Sequence, residues 1–246
     1  MSSSLDGKSV VITRSITQNE SLRRLLEARG ADVVEMPLIA IAEPDDEGYE
    51  RDEVLHRFHE FDWIVVTSPN GADRVAPFIS AAEAAGDAPR FPHIAAVGDA
   101  TARSLDTAVT LVANPARAEV LAEQFPEGSG TVLLVQGNLA DESLEESIAA
   151  KGWSITKVVA YRTVQLRPTP ELMEPALAAD VLLFASGSAV TAWFEAFGTS
   201  TPPVAVAIGP STAKVADALG IDLSAVADEQ SLESLIETTE RILEAE

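Results

Sequence analysis

The sequence contains no cysteine among its 246 residues. It can therefore form no disulfide, no thiolate metal site and no cysteine nucleophile. No apolar run approaches the roughly 18 to 20 residues that are needed to cross a bilayer. The first residues also lack the charged and apolar regions of a signal peptide. Together these absences predict a cytoplasmic protein.

Basic side chains are scarce, since 17 Lys and Arg stand against 39 Asp and Glu, for a formal net charge of −22. Such a field repels nucleic acid and anionic membranes, so we expect neither as a partner. Several familiar motifs are missing as well. No phosphate-binding Gly-x-x-x-x-Gly-Lys-Ser/Thr loop is present, and no Gly-x-Gly-x-x-Gly follows the first predicted strand. Ser68 and Ser186 lack the Gly-x-Ser-x-Gly setting of a hydrolase nucleophile.

The three histidines are His56, His59 and His93. The spacing of His56 and His59 predicts that they share one face of a helix. No third metal ligand is obvious in the sequence. We therefore interpret both as exposed side chains on an acidic helix and expect no metal site.

Two pairs of similar segments occur along the chain in the order A, B, A′, B′. The A segments are residues 10–30 and 132–152, and the B segments are residues 62–102 and 180–213. A duplication of this kind predicts two similar halves that face one another across a ligand cleft.

Each segment begins with a run of valine, isoleucine or leucine, which is typical of a strand buried on both faces. A helical pattern follows each run. This alternation predicts an α/β fold with parallel sheets flanked by helices, whose ligands bind at the carboxyl ends of the strands. The predicted strands are residues 10–14, 31–35, 63–67, 94–97, 132–136, 154–160, 181–185 and 204–208.

The chain length favours two domains. Proline-containing connectors are predicted at residues 41–49 and 163–170, because proline disfavours a helix and extends the chain. If A pairs with B′ and A′ with B, the chain crosses twice between the domains. Tandem domains, A with B and then A′ with B′, are equally compatible with the repeat.

Five turns between a predicted strand and a predicted helix carry glycine with serine, threonine or asparagine. Such residues can simply cap a helix. Helix starts also present free N–H groups and a positive dipole end, which bind carboxylates or phosphates. Five such turns at the strand ends of two sheets favour an anion-binding site. They are residues 67–71, 98–101, 136–138, 186–188 and 209–212.

Tyr161 is one of only two tyrosines in the chain and lies near the end of a predicted strand. It could be an ordinary packing residue. A phenol also stays protonated at neutral pH, because its ordinary pKa is about 10. Tyr161 could therefore donate a hydrogen bond to a departing oxygen.

Six motifs resemble those of the uroporphyrinogen-III synthase family. They occur in the same order as in that family and extend over nearly the whole chain. They are Val-Ile-Thr-Arg at 11–14, Thr-Ser-Pro-Asn-Gly at 67–71, Val-Gly-Asp-Ala-Thr-Ala at 97–102, Val-Ala-Tyr-Arg-Thr at 159–163, Phe-Ala-Ser-Gly-Ser at 184–188 and Ile-Gly-Pro-Ser-Thr-Ala at 208–213. The resemblance implies two flavodoxin-like domains joined by a two-stranded linker, with the active site in the cleft between them. Residues 1–37 and 168–246 would form one domain and residues 38–167 the other, which selects the pairing of A with B′.

The resemblance also implies an enzyme without a cofactor. Its small-molecule substrate would be hydroxymethylbilane, a linear tetrapyrrole with eight carboxylates, and we expect it to act as a monomer. The substrate would be cyclised to uroporphyrinogen III with loss of water and inversion of ring D, in the biosynthesis of haem, sirohaem or cobalamin. A non-catalytic two-domain sensor of an anionic metabolite is the alternative from another class, since the sequence has no nucleophile that excludes it.

By the same resemblance, Tyr161 matches the tyrosine best placed to assist departure of the ring A hydroxyl. The residues predicted to bind substrate carboxylates through backbone N–H groups or side-chain donors are Arg14, Ser68, Asn70, Gly98, Thr101, Gln136, Gly137, Ser186, Gly187, Ser188, Gly209 and Thr212. The negative net charge opposes an octa-anionic substrate, and Arg14 is among the few candidate cations.

Overall fold

The computed structural model describes residues 3–85 and 91–245. Its strands are β1 (Ser9–Ile12), β2 (Asp32–Glu35), β3 (Ile39–Ala42), β4 (Trp63–Val66), β5 (His93–Ala96), β6 (Leu111–Val112), β7 (Thr131–Gly137), β8 (Ser154–Gln165), β9 (Val181–Phe184), β10 (Val204–Ala207) and β11 (Ala225–Val226). Its α-helices are α1 (Ile16–Glu27), α2 (Tyr49–Leu55), α3 (Pro69–Ala85), α4 (Asp99–Leu105), α5 (Ala118–Gln124), α6 (Ser143–Ala149), α7 (Pro170–Ala178), α8 (Gly187–Phe197), α9 (Pro210–Leu219) and α10 (Leu232–Ala245). None of the helices described is both long and apolar enough to cross a membrane.

The chain divides into two compact units, Met1–Ala40 with Val164–Glu246, and Ile41–Thr163. The family resemblance implies boundaries at residues 37/38 and 167/168, a few residues away. Both boundaries of the structure fall inside strands, β3 and β8. These two strands are neighbours in one sheet.

The first unit contains a sheet of order β11-β10-β9-β1-β2, in which all pairs are parallel. Successive residues of β1 point to opposite faces, as in any strand. Val10 and Ile12 pack with Leu22 and Leu26 of α1, whereas Val11 packs with Trp193 of α8. Helices therefore cover both faces, which explains why the strand is apolar without alternation.

The other sheet has the order β3-β8-β7-β4-β5-β6. Its β8-β7, β7-β4, β4-β5 and β5-β6 pairs are parallel. Ile64 of β4 packs with Val75 of α3 on one face. Val65 packs with Leu121 of α5 on the opposite face.

The two sheets share one strand order, although the chain enters that order at different strands. In the first sheet, β1 and β2 are strands 1 and 2, and β9, β10 and β11 are strands 3 to 5, so the order is the flavodoxin-like 2-1-3-4-5. In the second sheet, β7 and β8 are strands 1 and 2, and β4, β5 and β6 are strands 3 to 5, so β8-β7-β4-β5-β6 is the same order. The predicted α/β fold class with parallel sheets flanked by helices is confirmed.

The segments predicted as connectors, residues 41–49 and 163–170, begin where the chain passes between the two units, and they include the ends of β3 and β8. One local prediction was wrong. The two histidines do not share a helix face, since α2 ends at Leu55 and His59 lies in a short 3-10 turn, Phe58–Glu60. Phe58 of this turn is buried in the core, whereas His59 is only partly buried.

Candidate active site

Most of the predicted site residues of the second unit lie where parallel strands end. Ser68 and Asn70 follow β4, Gly98 follows β5, Gln136 and Gly137 close β7, and Tyr161 lies toward the end of β8. Because β8, β7, β4 and β5 are neighbours in that order, these residues lie along one edge of the sheet.

Tyr161 and Ser68 are joined by a hydrogen bond. The Ser68 hydroxyl donates to the Tyr161 phenol oxygen at 3.0 Å. The same Ser68 oxygen accepts the backbone N–H of Gly71 at 3.2 Å, in the first turn of α3. Ser68 thus caps a helix and holds the phenol with one hydroxyl group.

The phenol reaches Ser68 by crossing over β7, the strand that separates β8 from β4. Tyr161 is opposite Gly137 in the register, after an irregularity between Gln136 and Gly137. A Cβ on Gly137 would lie 2.7 Å from the Tyr161 Cζ atom and 2.9 Å from its hydroxyl oxygen. A side chain at this position would therefore push the Tyr161 ring aside. Bulges of this kind often re-aim a side chain beside an active site.

The backbone around Tyr161 is held from both sides. The Asn138 N–H donates to the Tyr161 carbonyl at 3.1 Å, and the Asn138 side-chain oxygen accepts from the Thr163 N–H at 2.8 Å. Arg51 donates from its guanidinium to the Ala160 carbonyl at 2.8 Å. These contacts fix the segment that carries the phenol.

Arg51 belongs to an ion-pair network that surrounds Glu43. Arg51 is 8% exposed and pairs with both Glu43 and Asp52. Arg74 pairs with the other Glu43 oxygen at 2.8 Å. Burial acts to raise the pKa of Glu43, but the hydrogen bonds from Arg51 and Arg74 outweigh it and hold that pKa below its ordinary value. These cations are thus paired within the protein.

Four other predicted residues in this unit have structural partners or are buried. The Thr101 hydroxyl donates to the Val97 carbonyl at 2.9 Å, and Thr101 is only 1% exposed. Gly98 has a positive φ of 83°, and a Cβ there would lie 2.4 Å from the Cβ of Ala116. Gln136 is 4% exposed. Asn70 is half-buried in the first turn of α3 and accepts from Arg74 through its backbone carbonyl at 3.4 Å.

The predicted residues of the first unit follow the adjacent strands β1, β9 and β10. Ser186 caps α8, since its hydroxyl accepts from the Ala189 N–H at 3.3 Å. The Ser186 and Ser188 hydroxyls are 3.1 Å apart. A Cβ on Gly187 would lie 2.8 Å from Val215, so this glycine allows α8 to pack closely on α9.

Gly209 and Thr212 lie at the start of α9, where Pro210 begins the helix. Gly209 is in an extended conformation, with φ 177° and ψ 175°, which any residue can adopt. A Cβ there would make only ordinary contact with Gln230, the nearest atom being 3.6 Å away. Thr212 is 3% exposed in the first turn of the helix. Nothing in the geometry of Gly209 itself requires glycine.

Arg14 follows β1 and is partly buried. Burial lowers the pKa of its guanidinium. Within residues 3–85 and 91–245, no carboxylate forms a salt bridge with Arg14, and its guanidinium makes only a long contact of 3.5 Å with the Gln18 carbonyl. This cation remains able to bind an anionic ligand.

Asn19 is a second polar residue near the start of α1, and the sequence analysis did not single it out. It is fully buried, and neither its amide nitrogen nor its amide oxygen has a hydrogen-bond partner among the residues described. The sequence did carry a signal, since Asn19, Leu22 and Leu26 share the apolar spacing of one helix face. In the part of the chain that the structure describes, no group of three or more His, Cys, Asp or Glu side chains could hold a metal ion.

Two flavodoxin-like sheets, each with glycine and hydroxyl residues at its strand ends, define a duplicated α/β protein. The chain belongs to the uroporphyrinogen-III synthase family. The family model described as "Uroporphyrinogen-III synthase HemD" matches residues 20–237. The predicted family is thereby confirmed.

Relatives of known name agree with this assignment. The chloroplastic uroporphyrinogen-III synthase of Oryza sativa subsp. japonica is 32% identical over 199 residues, which is 76% of this chain and 64% of the relative. The uroporphyrinogen-III synthase of Synechococcus elongatus is 28% identical over 166 residues, which is 65% of this chain and 62% of the relative. The chain thus matches less than two thirds of the length of these relatives.

Crystal structures share the fold. A mutant uroporphyrinogen III synthase from the extremely thermophilic bacterium Thermus thermophilus has a TM-score of 0.65 at 23% identity and covers 98% of this chain and 100% of its own. The enzyme from Helicobacter pylori has a TM-score of 0.58 at 20% identity and covers 95% of this chain and 98% of its own.

Proposed function

We propose that this chain is a uroporphyrinogen-III synthase, a lyase that closes hydroxymethylbilane to uroporphyrinogen III in tetrapyrrole biosynthesis. The observation that carries the proposal is the family match over residues 20–237. The phenol of Tyr161, held at the edge of a parallel sheet by Ser68, supports it. The same match favours the enzyme over a non-catalytic sensor.

The first chemical step is the loss of the ring A hydroxyl. The carbon–oxygen bond breaks with both electrons on the oxygen, and the pyrrole nitrogen supplies electrons to the carbon that is left. Tyr161 donates its proton to the departing oxygen, which leaves as water. A positioned acid of this kind accelerates a reaction by about 10²- to 10⁴-fold.

The second step is ring closure with inversion. The electron-poor carbon is attacked by the substituted carbon of ring D, and the resulting spiro intermediate fragments and recloses in the inverted sense. The pyrroles supply this reactivity themselves. The protein contributes by holding one conformation and by preventing the uninverted closure, which is an effect of positioning.

The substrate carboxylates need hydrogen-bond donors, and both units offer them at their strand ends. Helices α3, α8 and α9 each begin beside a predicted site residue, and the start of a helix favours anions. Arg14 supplies a charge that no described carboxylate neutralises through a salt bridge. At about 0.15 M salt the Debye length is about 8 Å, so the remote part of the net charge is screened and these local donors dominate.

The organisation of the protein forms part of the same proposal. We infer that the two units are two domains, that the enzyme acts as a monomer in the cytoplasm, and that it needs neither a cofactor nor a nucleic-acid partner. The net charge of −22 supports the last point. Sedimentation analysis and assays with dialysed, chelator-treated enzyme would test the monomer and the absence of a cofactor.

The experiment that tests the function is an isomer assay. Freshly prepared hydroxymethylbilane is incubated with the protein, and the products are separated after oxidation to porphyrins. We expect isomer III in excess over isomer I, the spontaneous product. Isomer I alone would overturn the proposal, and tight binding of the tetrapyrrole without turnover would support the sensor instead.

A further inference from the structure

The Ser68 hydroxyl forms a hydrogen bond with the phenol oxygen of Tyr161. We propose that Ser68 is a positioning residue, which holds Tyr161 and polarises its phenol from the start of α3, and that its side chain does not bind a substrate carboxylate. The inference rests on the proposed function, since it assigns how the proton donor of that reaction is held.

The direction of the hydrogen bonds carries the first step of the argument. A serine hydroxyl has one proton to donate. Ser68 donates that proton to the Tyr161 oxygen at 3.0 Å. Tyr161 therefore keeps its own proton for a departing oxygen. A substrate carboxylate accepts hydrogen bonds and donates none, so the Ser68 side chain has no proton left for it.

The second step concerns the helix that Ser68 caps. The Gly71 N–H donates to the Ser68 oxygen at 3.2 Å, and it belongs to the first turn of the 17-residue α3. The N–H groups of this turn form the positive end of the helix dipole. Each bond in a chain of hydrogen bonds polarises the next. The chain from Gly71 through Ser68 thus favours negative charge on the phenol oxygen.

Negative charge on that oxygen is what the reaction produces. When the carbon–oxygen bond breaks, the departing oxygen takes the Tyr161 proton and leaves as water, and the phenol becomes a phenolate. The Ser68 hydrogen bond is then charge-assisted and about twice as strong as before. After ring closure, the last pyrrole becomes aromatic again by losing a proton from carbon, and the phenolate takes up that proton. The complete reaction therefore loses one water.

The third step is the space that Gly137 provides. The phenol can reach across β7 only because Gly137 has no Cβ, which would lie 2.9 Å from the phenol oxygen. Ser68 and Gly137 therefore both act on the position of the Tyr161 phenol oxygen. Ser68 holds it by a hydrogen bond, and Gly137 leaves room for it because it has no side chain.

A double-mutant cycle tests the proposal. Ser68→Ala and Ser68→Gly remove the hydroxyl, and glycine remains a good helix N-cap if alanine weakens α3. Ser68→Thr restores a hydroxyl. Each is made in the natural sequence and in Tyr161→Phe, and kcat, KM and isomer ratio are measured. We expect Ala and Gly to lower kcat by about 10- to 100-fold, as for loss of a hydrogen bond to a charged group, with little change in KM.

Rescue and non-additivity are the further expected results. Ser68→Thr should recover most of kcat. In Tyr161→Phe the Ser68 substitutions should lower kcat no further, because a positioning residue acts only through the group it positions. Ser231→Ala is the matched control, since the Ser231 hydroxyl likewise accepts from the N–H three residues on, at 3.1 Å, and caps α10 of the first unit. Ser231→Ala should lower the stability of the protein and leave kcat unchanged.

Three results would overturn the proposal: unchanged kcat in both Ser68→Ala and Ser68→Gly, a raised KM with unchanged kcat, or an additional loss in the Tyr161→Phe background. Either of the last two results would indicate that the Ser68 side chain binds the substrate. Failure of the function itself would be seen separately, since the natural protein would then produce only isomer I.

Discussion

Asp180 accepts two hydrogen bonds from Ser9, one from its backbone N–H at 2.8 Å and one from its hydroxyl at 2.7 Å. The second unit repeats the contact, because Asp62 accepts from the Thr131 N–H at 2.8 Å and from its hydroxyl at 3.4 Å. Each aspartate lies just before one central strand, β9 or β4, and its partner begins the neighbouring strand, β1 or β7. The duplication thus preserves a clamp at the amino ends of the sheets, opposite the candidate site.

The clamp predicts a pH-dependent stability. The Ser9 hydroxyl, and then the Ser9 N–H, lower the pKa of Asp180. The contribution of the Asp180 carboxylate to the free energy of unfolding is therefore complete above the pKa that Asp180 has in the unfolded chain. It is lost as the pH falls through the lower pKa that Asp180 has in the folded protein. Asp180→Asn should cost about 1 kcal/mol at pH 7, kept small because the carboxylate is 41% exposed. The difference from the natural protein should vanish in acid.

Urea denaturation at several pH values, followed by circular dichroism, provides the measurement. Asp217→Asn is the control, since Asp217 is an exposed residue of α9. An Asp180→Asn effect that grows as the pH falls would contradict the assigned sign.

Gly137→Ala should lower the proposed activity without unfolding the protein. The added Cβ would lie 2.7 Å from the Tyr161 ring, so the phenol must move away from Ser68. A displacement of about 1 Å can cost roughly 100-fold in rate. We expect a loss of that size in kcat, measured with hydroxymethylbilane. Gly198→Ala is the control, because its positive φ of 62° makes alanine strained while no atom lies within 4 Å of the new Cβ. It should lower stability and leave kcat unchanged.

Much of the fold was predictable from the sequence, because apolar runs followed by glycine turns recur in both copies. The Ser68–Tyr161 contact was not. It depends on the strand order β8-β7-β4 and on the irregular register at Gly137. The spacing of residues in the sequence predicts neither of these. Both residues had been singled out, but as independent members of the site.

Proline explains another part of what was missed. The prolines at 168 and 170 predict an extended connector, whereas Pro170 is the first residue of α7. Proline is well suited to that position, because its missing N–H would have no partner in the first turn of a helix. The ion pairs of Arg51 were also absent from the sequence interpretation, since they join residues far apart in the chain.

Arg51→Lys should destabilise the second unit. The guanidinium contacts Glu43, Asp52 and the Ala160 carbonyl at once, and an ammonium cannot reproduce this forked geometry. We expect a loss of about 1 to 3 kcal/mol in the free energy of unfolding. Arg57→Lys is the matched control, because the Arg57–Glu60 pair is 4.0 Å apart and exposed. Equal effects of the two substitutions would show that the Arg51 network contributes no more than a surface pair.

Tyr161→Phe should lower kcat by about 10²- to 10⁴-fold, since the proton donor of the proposed first step is removed. The ring packs against the core and keeps most of its contacts as phenylalanine, so stability should change little. Tyr49→Phe, at a tyrosine that is 70% exposed, should behave as the natural enzyme. The isomer ratio provides the measurement, because spontaneous closure produces isomer I whenever catalysis fails. Full turnover in Tyr161→Phe would remove this residue from the mechanism.

Asn19→Leu should stabilise the protein. Leucine has nearly the shape of asparagine, and it removes two buried polar atoms that have no partner among the described residues. An unsatisfied buried polar group costs about 1 to 3 kcal/mol, and replacing it by an apolar group recovers part of this. Thermal unfolding and the isomer assay should be run together, with Leu22→Asn as the reciprocal control that adds such a group to the same helix face. A gain in stability with lost turnover would indicate that Asn19 serves the ligand, whereas a loss of stability would show that its amide is satisfied in the folded protein.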